Sequence, residues 1–132
     1  MTPILPPFPT TRLRRMRSSG ALRDLMRETT LTVNDLIWPV FVMDGEDAET
    51  PVDSMPGVMR MTVDRVAKAA EMATELGIPA ICLFPYTDPS LKTETCEEAW
   101  NPNNLSNRAV RAIKQAAPDI AVMTDVALDP YN

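Results

Sequence analysis

The chain has 132 residues, of which 45% are hydrophobic and 23% charged, and its net charge at pH 7 is −5. This length and apolar content suffice for one domain with a hydrophobic core. The absence of histidine excludes Ser–His–Asp and Cys–His catalytic arrangements, and the four glycines form no phosphate-binding loop.

Membrane and secretory signals are also missing from the sequence. No stretch approaches the ~18 consecutive apolar residues of a membrane span, and the amino terminus lacks the apolar core of a signal peptide. The sequence therefore predicts a cytoplasmic protein. Its two cysteines have no CxxC spacing, so neither a disulfide nor a structural zinc site is expected. We interpret Cys82 as a core residue and Cys96 as a free thiol in a loop.

Charge is divided unevenly along the chain. Residues 1–30 carry six arginines and a net charge of +4, whereas residues 31–132 have a net charge of −9. Such a division is typical of a nucleic-acid-binding arm or of an arm that docks on an acidic partner, such as another copy of the chain. Because no aromatic residue is interleaved with the arginines, we predict a docking arm and no nucleic-acid partner.

The amino-terminal arm, residues 1–30, is predicted to be mostly extended because it begins with a proline-rich stretch without apolar periodicity. Leu22, Leu25 and Met26 then recur at helical spacing and predict a short helix with one packed face.

The first strand is predicted at residues 36–43, although Pro39 favours an edge or a kinked position. Residues 44–61 are predicted to form a loop, since they contain the turn pair Pro56-Gly57.

A helix follows, with Thr62 as its N-cap and Gly77 as its stop. Its predicted inward face consists of Val63, Val66, Ala67, Ala70, Ala73 and Leu76. The second strand is predicted at residues 80–85, where apolar residues on both faces are typical of a parallel sheet.

The long loop at residues 86–105 leads to a second helix in LSNRAVRAIKQAAP and a third strand in DIAVMTDVALDP. Strands that alternate with helices predict an α/β fold with parallel strands. The pattern fits the start of either a doubly wound sheet or a (β/α)8 TIM barrel. Either would be incomplete, because a barrel needs about 250 residues.

Ligands in such folds bind at the carboxyl ends of the strands. The candidate residues there are Asp44, Phe84, Pro85, Tyr86, Asp125, Asp129 and Tyr131. Asp44 is expected to cap a loop or face water. Side-chain alternation along the third strand would place Asp125, Ala127 and Asp129 on one face. Two carboxylates there would need a cationic partner, either a metal or a substrate amine, and spacing alone leaves open whether they form a site.

The chain has three lysines, none of which is predicted at a strand end, where Schiff-base chemistry needs a desolvated amine. Lys68 and Lys114 are predicted to be solvated on helices. Lys92, in the long loop, is an open candidate for a substrate contact.

Five segments resemble one known family in order and in spacing. They are RLRRMR, DLIWPVFV, SMPGVMR, GIPAICLFP and NRAVRAIKQAAPDIAVMTDVALDPY, and together they span residues 12–131. The family is delta-aminolevulinic acid dehydratase, also called porphobilinogen synthase.

The resemblance implies a TIM barrel of which residues 31–132 supply the first three strands and two helices. It also implies an arm over residues 1–30 that embraces a neighbouring subunit in homo-oligomers, often octamers. The implied lyase reaction condenses two molecules of 5-aminolevulinate to porphobilinogen with loss of water, in tetrapyrrole and heme biosynthesis.

In the family, two lysines from later strands form Schiff bases with the two substrates. Asp125 matches the active-site aspartate, which is placed to interact with a substrate amine or the reacting groups. We take Asp129, Tyr131 and Phe84 as substrate-binding candidates.

Zinc-dependent members have cysteines where this chain has Ala127 and Asp129. Alanine cannot ligate, and a carboxylate is a hard ligand that prefers magnesium to zinc. The resemblance therefore implies an aspartate-type site without catalytic zinc, and magnesium at a separate site outside these residues.

The Schiff-base lysines, the lid and strands four to eight are not among the 132 residues. We therefore expect the chain to be the front part of a longer enzyme and to be inactive alone. One alternative is a short non-catalytic binding module that pairs with full-length subunits through residues 1–30. Another is a flavodoxin-like protein that uses Asp125 as a functional acid, which the loop at residues 44–61 disfavours because that loop separates the first strand from its helix.

Overall fold

The computed structural model describes residues 5–132, so the first four residues of the predicted arm lie outside the described part. The chain divides into two compact units, which meet between Leu31 and Thr32. In the first unit, helix α1 spans Gly20–Leu25. Its N-cap is Ser19, whose hydroxyl accepts a hydrogen bond from the Leu22 amide. No described residue of this unit is buried: Leu25 and Met26 of the apolar face predicted for α1 are exposed, and Leu22 is half-buried.

The second unit is built on a five-stranded sheet of order β2-β3-β1-β4-β5. The strands are β1 Ile37–Met43, β2 Glu49–Pro51, β3 Met59–Thr62, β4 Ala80–Pro85 and β5 Ala121–Thr124. Strands β1, β4 and β5 are parallel neighbours, which confirms the parallel arrangement predicted for the three apolar strands.

There are two long helices among the described residues. Helix α2 (Val63–Glu75) connects β3 to β4, and helix α3 (Leu105–Ala116) precedes β5. Val40, Val42, Ile81 and Leu83 of the central strands form one core cluster with residues of both helices. The alternate residues of the same strands point away from this cluster and remain half-buried or exposed. The two helices therefore cover one face of the sheet, and no other described element of the second unit covers the opposite face, here called the open face.

Helix α2 begins after its predicted N-cap, Thr62, and the chain turns at Gly77, which has a φ of +77°. A left-handed backbone suits glycine because it has no Cβ. Val66, Ala70 and Ala73 are buried as predicted, but Leu76 is 61% exposed and Ala69 is buried instead. The predicted face was therefore wrong at Leu76, which belongs to the C-cap, and it missed Ala69 in the middle of the helix.

The prediction of a loop over residues 44–61 was wrong, because this segment contains β2 and part of β3. Strand β3 pairs with β1 in parallel, with Phe41 opposite Arg60, and β2 pairs with β3 antiparallel. Strands of three and four residues are too short to show an apolar alternation. The pairing of β3 with β1, and of β2 with β3, supplies the order that the local sequence does not.

Strand β1 is central in the sheet, although Pro39 had suggested an edge. Its pairing with β3 begins only at Phe41, whereas its pairing with β4 runs from Ile37 to Val42. On the β3 side, Pro39 therefore has no strand partner among the described residues. Proline has no N–H to donate, and none is needed at this position because no strand lies opposite it. The proline marked a local edge of a central strand.

Cys82 lies on the open face of β4 and is half-buried, so the prediction that it is a core residue was wrong. Among the described residues, no helix is both long and apolar enough to cross a membrane.

Candidate functional site

The carboxyl ends of β1, β4 and β5 lie side by side. Val42 is in register with Pro85, and Leu83 with Thr124. Asp44, Tyr86 and Asp125, which follow these strands, are therefore brought to the same edge of the sheet, here called the carboxyl edge. The fold thus gathers the candidates that the sequence distributes over more than half of the chain.

Strand β5 ends at Thr124, one residue before Asp125. A 3₁₀ turn, Asp129–Tyr131, follows, and its N-cap Leu128 has φ −100° and ψ −16°. Residues 125–129 therefore do not continue the strand, and the prediction that Asp125, Ala127 and Asp129 share one strand face was wrong. Pro130, which cannot donate a ladder hydrogen bond, suits the first turn of a 3₁₀ segment better than a strand.

A concavity of 240 Å³ lies between the segment after β5 and the start of α3. It is lined by Ala99, Asn104, Ser106, Asn107, Thr124, Asp125, Val126, Ala127, Leu128 and Tyr131. Asp125 is exposed, so its carboxylate is open to a small molecule.

The N-terminus of α3 is held by Asn104, which is buried. Its side-chain oxygen accepts a hydrogen bond from the Asn107 amide at 2.8 Å, and its side-chain nitrogen donates to the carbonyls of Glu98 and Ala99. One amide side chain thus caps the helix and fixes the preceding turn, which sets one wall of the concavity.

Tyr131 and Asp129 have different environments in the turn after β5. Tyr131 is buried, with its hydroxyl 3.4 Å from Ser106 Oγ, so it anchors the turn against α3. Asp129 is exposed, and its backbone carbonyl lies 3.5 Å from Lys92 Nζ. Lys92 thus contacts the backbone of the segment that carries the candidate acids.

The loop after β4 packs against the same turn. The Thr93 amide donates to the Tyr131 carbonyl at 3.1 Å, and Cys96, a free thiol, is buried with its Sγ 3.8 Å from the Leu128 carbonyl. Hydrogen bonds from the Thr93 and Thr95 hydroxyls to Glu97 lower the pKa of that carboxyl below its usual range. The loop is therefore ordered by its own hydrogen bonds as well as by the turn.

Phe84 lies on the open face of β4 and not in the concavity. Its ring centroid is 5.7 Å from that of Phe41, its register partner on β1. The structure therefore brings Asp125 and Tyr131 to one concavity and Asp129 into the adjoining turn, and places Phe84 on the strand beside Asp125.

Two contacts at the carboxyl edge were not predicted. Asp44 forms an ion pair with Arg108 on α3, and the Arg60 guanidinium lies 4.7 Å from the centre of the Tyr86 ring. No sequence signal could have found the second contact, because Arg60 was placed in a loop and its pairing in β3 is tertiary.

The side chains of the three lysines are all engaged with oxygen atoms. Lys68 lies 3.8 Å from Asp47, Lys114 donates to the carbonyl of Ile120, and Lys92 contacts the turn after β5. In the described part of the chain, no three His, Cys, Asp or Glu side chains are grouped so that they could hold a metal ion.

Comparisons with known proteins give one consistent result. The family model for delta-aminolevulinic acid dehydratase matches residues 10–132. The delta-aminolevulinic acid dehydratase of Rhodobacter capsulatus is 56% identical over 132 residues, which is 100% of this chain and 40% of that protein. The protein of the same name from Bradyrhizobium diazoefficiens is 53% identical over 121 residues, or 92% of this chain and 34% of that protein.

A solved structure agrees with these sequence matches. It is delta-aminolevulinic acid dehydratase (porphobilinogen synthase) from Toxoplasma gondii, in complex with the reaction product porphobilinogen. It matches with a TM-score of 0.83 and 42% identity, over 92% of this chain and 34% of that chain. The chain thus spans 40% or less of the length of each of these three relatives.

Proposed function

The chain belongs to the delta-aminolevulinic acid dehydratase family, and we propose that the complete protein containing it is a porphobilinogen synthase. This lyase would condense two molecules of 5-aminolevulinate to porphobilinogen with loss of water. The observation that carries the proposal is the match of the family model to residues 10–132. The likeness to a product-bound relative supports it and confirms the predicted fold, the first part of a TIM barrel.

Asp125 is the described residue best placed to act on substrate. Its carboxylate is exposed at the carboxyl edge, where TIM-barrel enzymes build their active sites. We propose that it accepts a hydrogen bond from the positively charged amine of a 5-aminolevulinate molecule, since a carboxylate and an ammonium group form a charge-assisted hydrogen bond. Tyr131 would act indirectly, by anchoring the turn that contains Asp129.

Covalent capture of the substrate ketone requires an unprotonated lysine amine in a desolvated position. Lys68, Lys92 and Lys114 do not meet this requirement, because each contacts a carboxylate or carbonyl oxygen at an exposed position. We propose that the Schiff-base lysines lie outside these 132 residues. The isolated chain would then bind no substrate covalently.

Magnesium remains part of the proposal through the family, at a site outside the described residues. Ala127 has no side-chain ligand atom, and among the described residues Asp129 belongs to no group of three or more His, Cys, Asp or Glu side chains that could hold a metal ion. Catalytic zinc at these positions is disfavoured by the donor chemistry of alanine and aspartate.

The arm supports a proposed homo-oligomer, with an octamer as the expected state. Its described residues are not buried, and Leu13 is 81% and Leu25 79% exposed. Large exposed apolar surfaces mark protein–protein interaction sites, and we propose that a partner covers these leucines. The partner we propose is the acidic second unit of another copy.

The predicted cytoplasmic location remains a prediction.

The test is an activity assay on two proteins, the complete gene product and the chain of residues 1–132. We expect formation of porphobilinogen from 5-aminolevulinate only with the complete protein. Borohydride reduction in the presence of 5-aminolevulinate should fix the substrate to the complete protein and leave the mass of the 132-residue chain unchanged. An inactive, folded complete protein would contradict the assignment, and turnover by the short chain would contradict the placement of the lysines.

A further inference from the structure

Two distant segments of the chain meet next to Asp125. One is the turn after β5, residues 128–131, and the other is the part of the loop after β4 that spans residues 93–96. The Thr93 amide donates a hydrogen bond to the Tyr131 carbonyl at 3.1 Å, and Cys96 Sγ lies 3.8 Å from the Leu128 carbonyl. These two interactions are here called the loop–turn contact.

The loop side of this contact is held in place by the start of α3. The Ala99 amide donates to the Cys96 carbonyl at 2.9 Å, and the side chain of the buried Asn104, which caps α3, donates to the Ala99 carbonyl at 3.3 Å. Cys96 is also buried, and its φ of +55° is left-handed. A residue other than glycine keeps such a backbone only where its surroundings determine it. Residues 93–96 therefore form a fixed base for the contact.

Asp125 lies between this contact and the sheet. On one side, Thr124 is in register with Leu83 of β4. On the other side, Leu128 begins the turn that the loop holds. Residues 125–127 are all that separates these two fixed points, and so short a segment has few conformations. A displacement of the turn would therefore also displace Asp125.

Thr93 connects the order of the loop to the position of the turn. Its hydroxyl donates to the Glu97 carboxylate and accepts a hydrogen bond from the Glu97 amide at 3.4 Å, while its own amide binds Tyr131. The Thr95 hydroxyl also donates to Glu97, but among the described residues the Thr95 amide forms no hydrogen bond with the turn. The two threonines thus share one interaction and differ in the other.

We propose that Thr93 is a positioning residue, which acts through the loop–turn contact on the placement of Asp125. The proposal rests on the function proposed above, in which Asp125 accepts a hydrogen bond from the substrate amine. A displacement of a reacting group by about 1 Å can cost about 100-fold in rate. A backbone hydrogen bond can therefore matter for kcat even where it contributes little to stability.

The test uses Thr93→Pro, Thr93→Val and Thr95→Val in the complete enzyme. The two valine variants each remove one hydroxyl bonded to Glu97 and keep the β-branched shape. Thr93→Pro also removes the amide hydrogen that binds Tyr131. The preceding residue, Lys92, has an extended ψ of 129°, which is compatible with a following proline. Thr95→Val is the matched control, and Thr93→Val decides the question if the proline variant does not fold.

Each variant is made both in the wild type and in Asp125→Asn, and kcat for 5-aminolevulinate is measured in both backgrounds. In the wild type, we expect kcat to fall about 10-fold in Thr93→Pro, about three- to fivefold in Thr93→Val and less than about twofold in Thr95→Val. In Asp125→Asn, each Thr93 variant should lower kcat by less than about a further twofold, because the group on which Thr93 acts is already lost. A purely structural role of Thr93 would give the same loss in both backgrounds.

The outcomes separate this inference from the proposed function. A wild-type enzyme that forms no porphobilinogen overturns both. An active wild type whose kcat is unchanged in the Thr93 variants overturns only the role of Thr93. Equal losses in the wild type and in Asp125→Asn would also overturn it, since Thr93 would then act on the fold and not on Asp125. Equal losses in Thr93→Val and Thr95→Val would assign the effect to Glu97 and would likewise overturn the proposal.

Discussion

Arg108 on α3 and Asp44 after β1 form an ion pair with an N–O distance of 2.5 Å across 64 residues of sequence. Arg108 also donates from Nε to the carbonyl of Asn103 at 3.0 Å. The pair thus ties the end of the first strand to the beginning of α3. Asp44 has a structural partner, which agrees with its expected role outside catalysis.

Removing the charge of Asp44 should therefore have a small effect on stability. The two side chains are 41% and 47% exposed, and pairs at this exposure contribute about 0–1 kcal/mol because water screens them. We expect Asp44→Asn to lower the free energy of unfolding of the complete enzyme by no more than about 1 kcal/mol. The difference should shrink in high salt. Denaturant melts at two ionic strengths measure it, and a large fall in kcat at unchanged stability would contradict the structural role.

The buried cap Asn104 should be far more sensitive. Asn104→Ala removes the cap of α3, which costs about 1–2 kcal/mol, and leaves the carbonyls of Glu98 and Ala99 without their donor. We expect a total loss of about 2–4 kcal/mol in the free energy of unfolding. Asn104→Ser keeps an acceptor for the Asn107 amide and should restore part of the loss. Equal losses in the two variants would show that the cap itself contributes nothing.

Hydrogen bonds to Glu97 make the loop after β4 sensitive to acid. Because the Thr93 and Thr95 hydroxyls lower the pKa of Glu97 in the folded state, this carboxyl contributes stability above its ordinary pKa. That contribution is lost as the pH falls through the lowered value. Thr93→Val should raise the pKa of Glu97 towards its ordinary value, and Thr95→Val should raise it less. Side-chain carboxyl NMR titration measures both, and an unchanged pKa in Thr93→Val would contradict the assigned hydrogen bond.

Long, strongly patterned elements of this fold could be predicted from the sequence. Strand β4 occupies the predicted residues, and α2 begins after the predicted N-cap, Thr62. The pair β2 and β3 could not be predicted, because Glu49–Pro51 and Met59–Thr62 have no period of their own and become strands only by pairing with β1 and each other.

The candidate site, like the fold, could be predicted only in part from the sequence. Asp125 was found because it follows an apolar run, and strand ends carry ligands in α/β folds. The alternation argument failed from Asp125 onward, since β5 ends at Thr124. Arg60 and Asn104 were missed for a different reason: the first depends on a register between distant strands, and the second on three hydrogen bonds that fold a loop around one amide.

Asp125 and Asp129 give the last prediction, because they are carboxylates four residues apart in different environments. Asp125 is exposed at the carboxyl edge beside Phe84, whereas Asp129 lies in the turn that Tyr131 anchors. If Asp125 stabilises charge on the reacting substrate, Asp125→Asn in the complete enzyme should reduce kcat by about 100-fold or more. Asp129→Asn should have a smaller effect on kcat, because Asp129 lies in the 3₁₀ turn after β5 and not directly at the strand end. Steady-state kinetics with 5-aminolevulinate measures both, with Asp119→Asn, an exposed acid before β5, as the matched control. Equal falls in kcat for Asp125→Asn and Asp119→Asn would remove Asp125 from the reaction, since the loss would then follow from net charge alone.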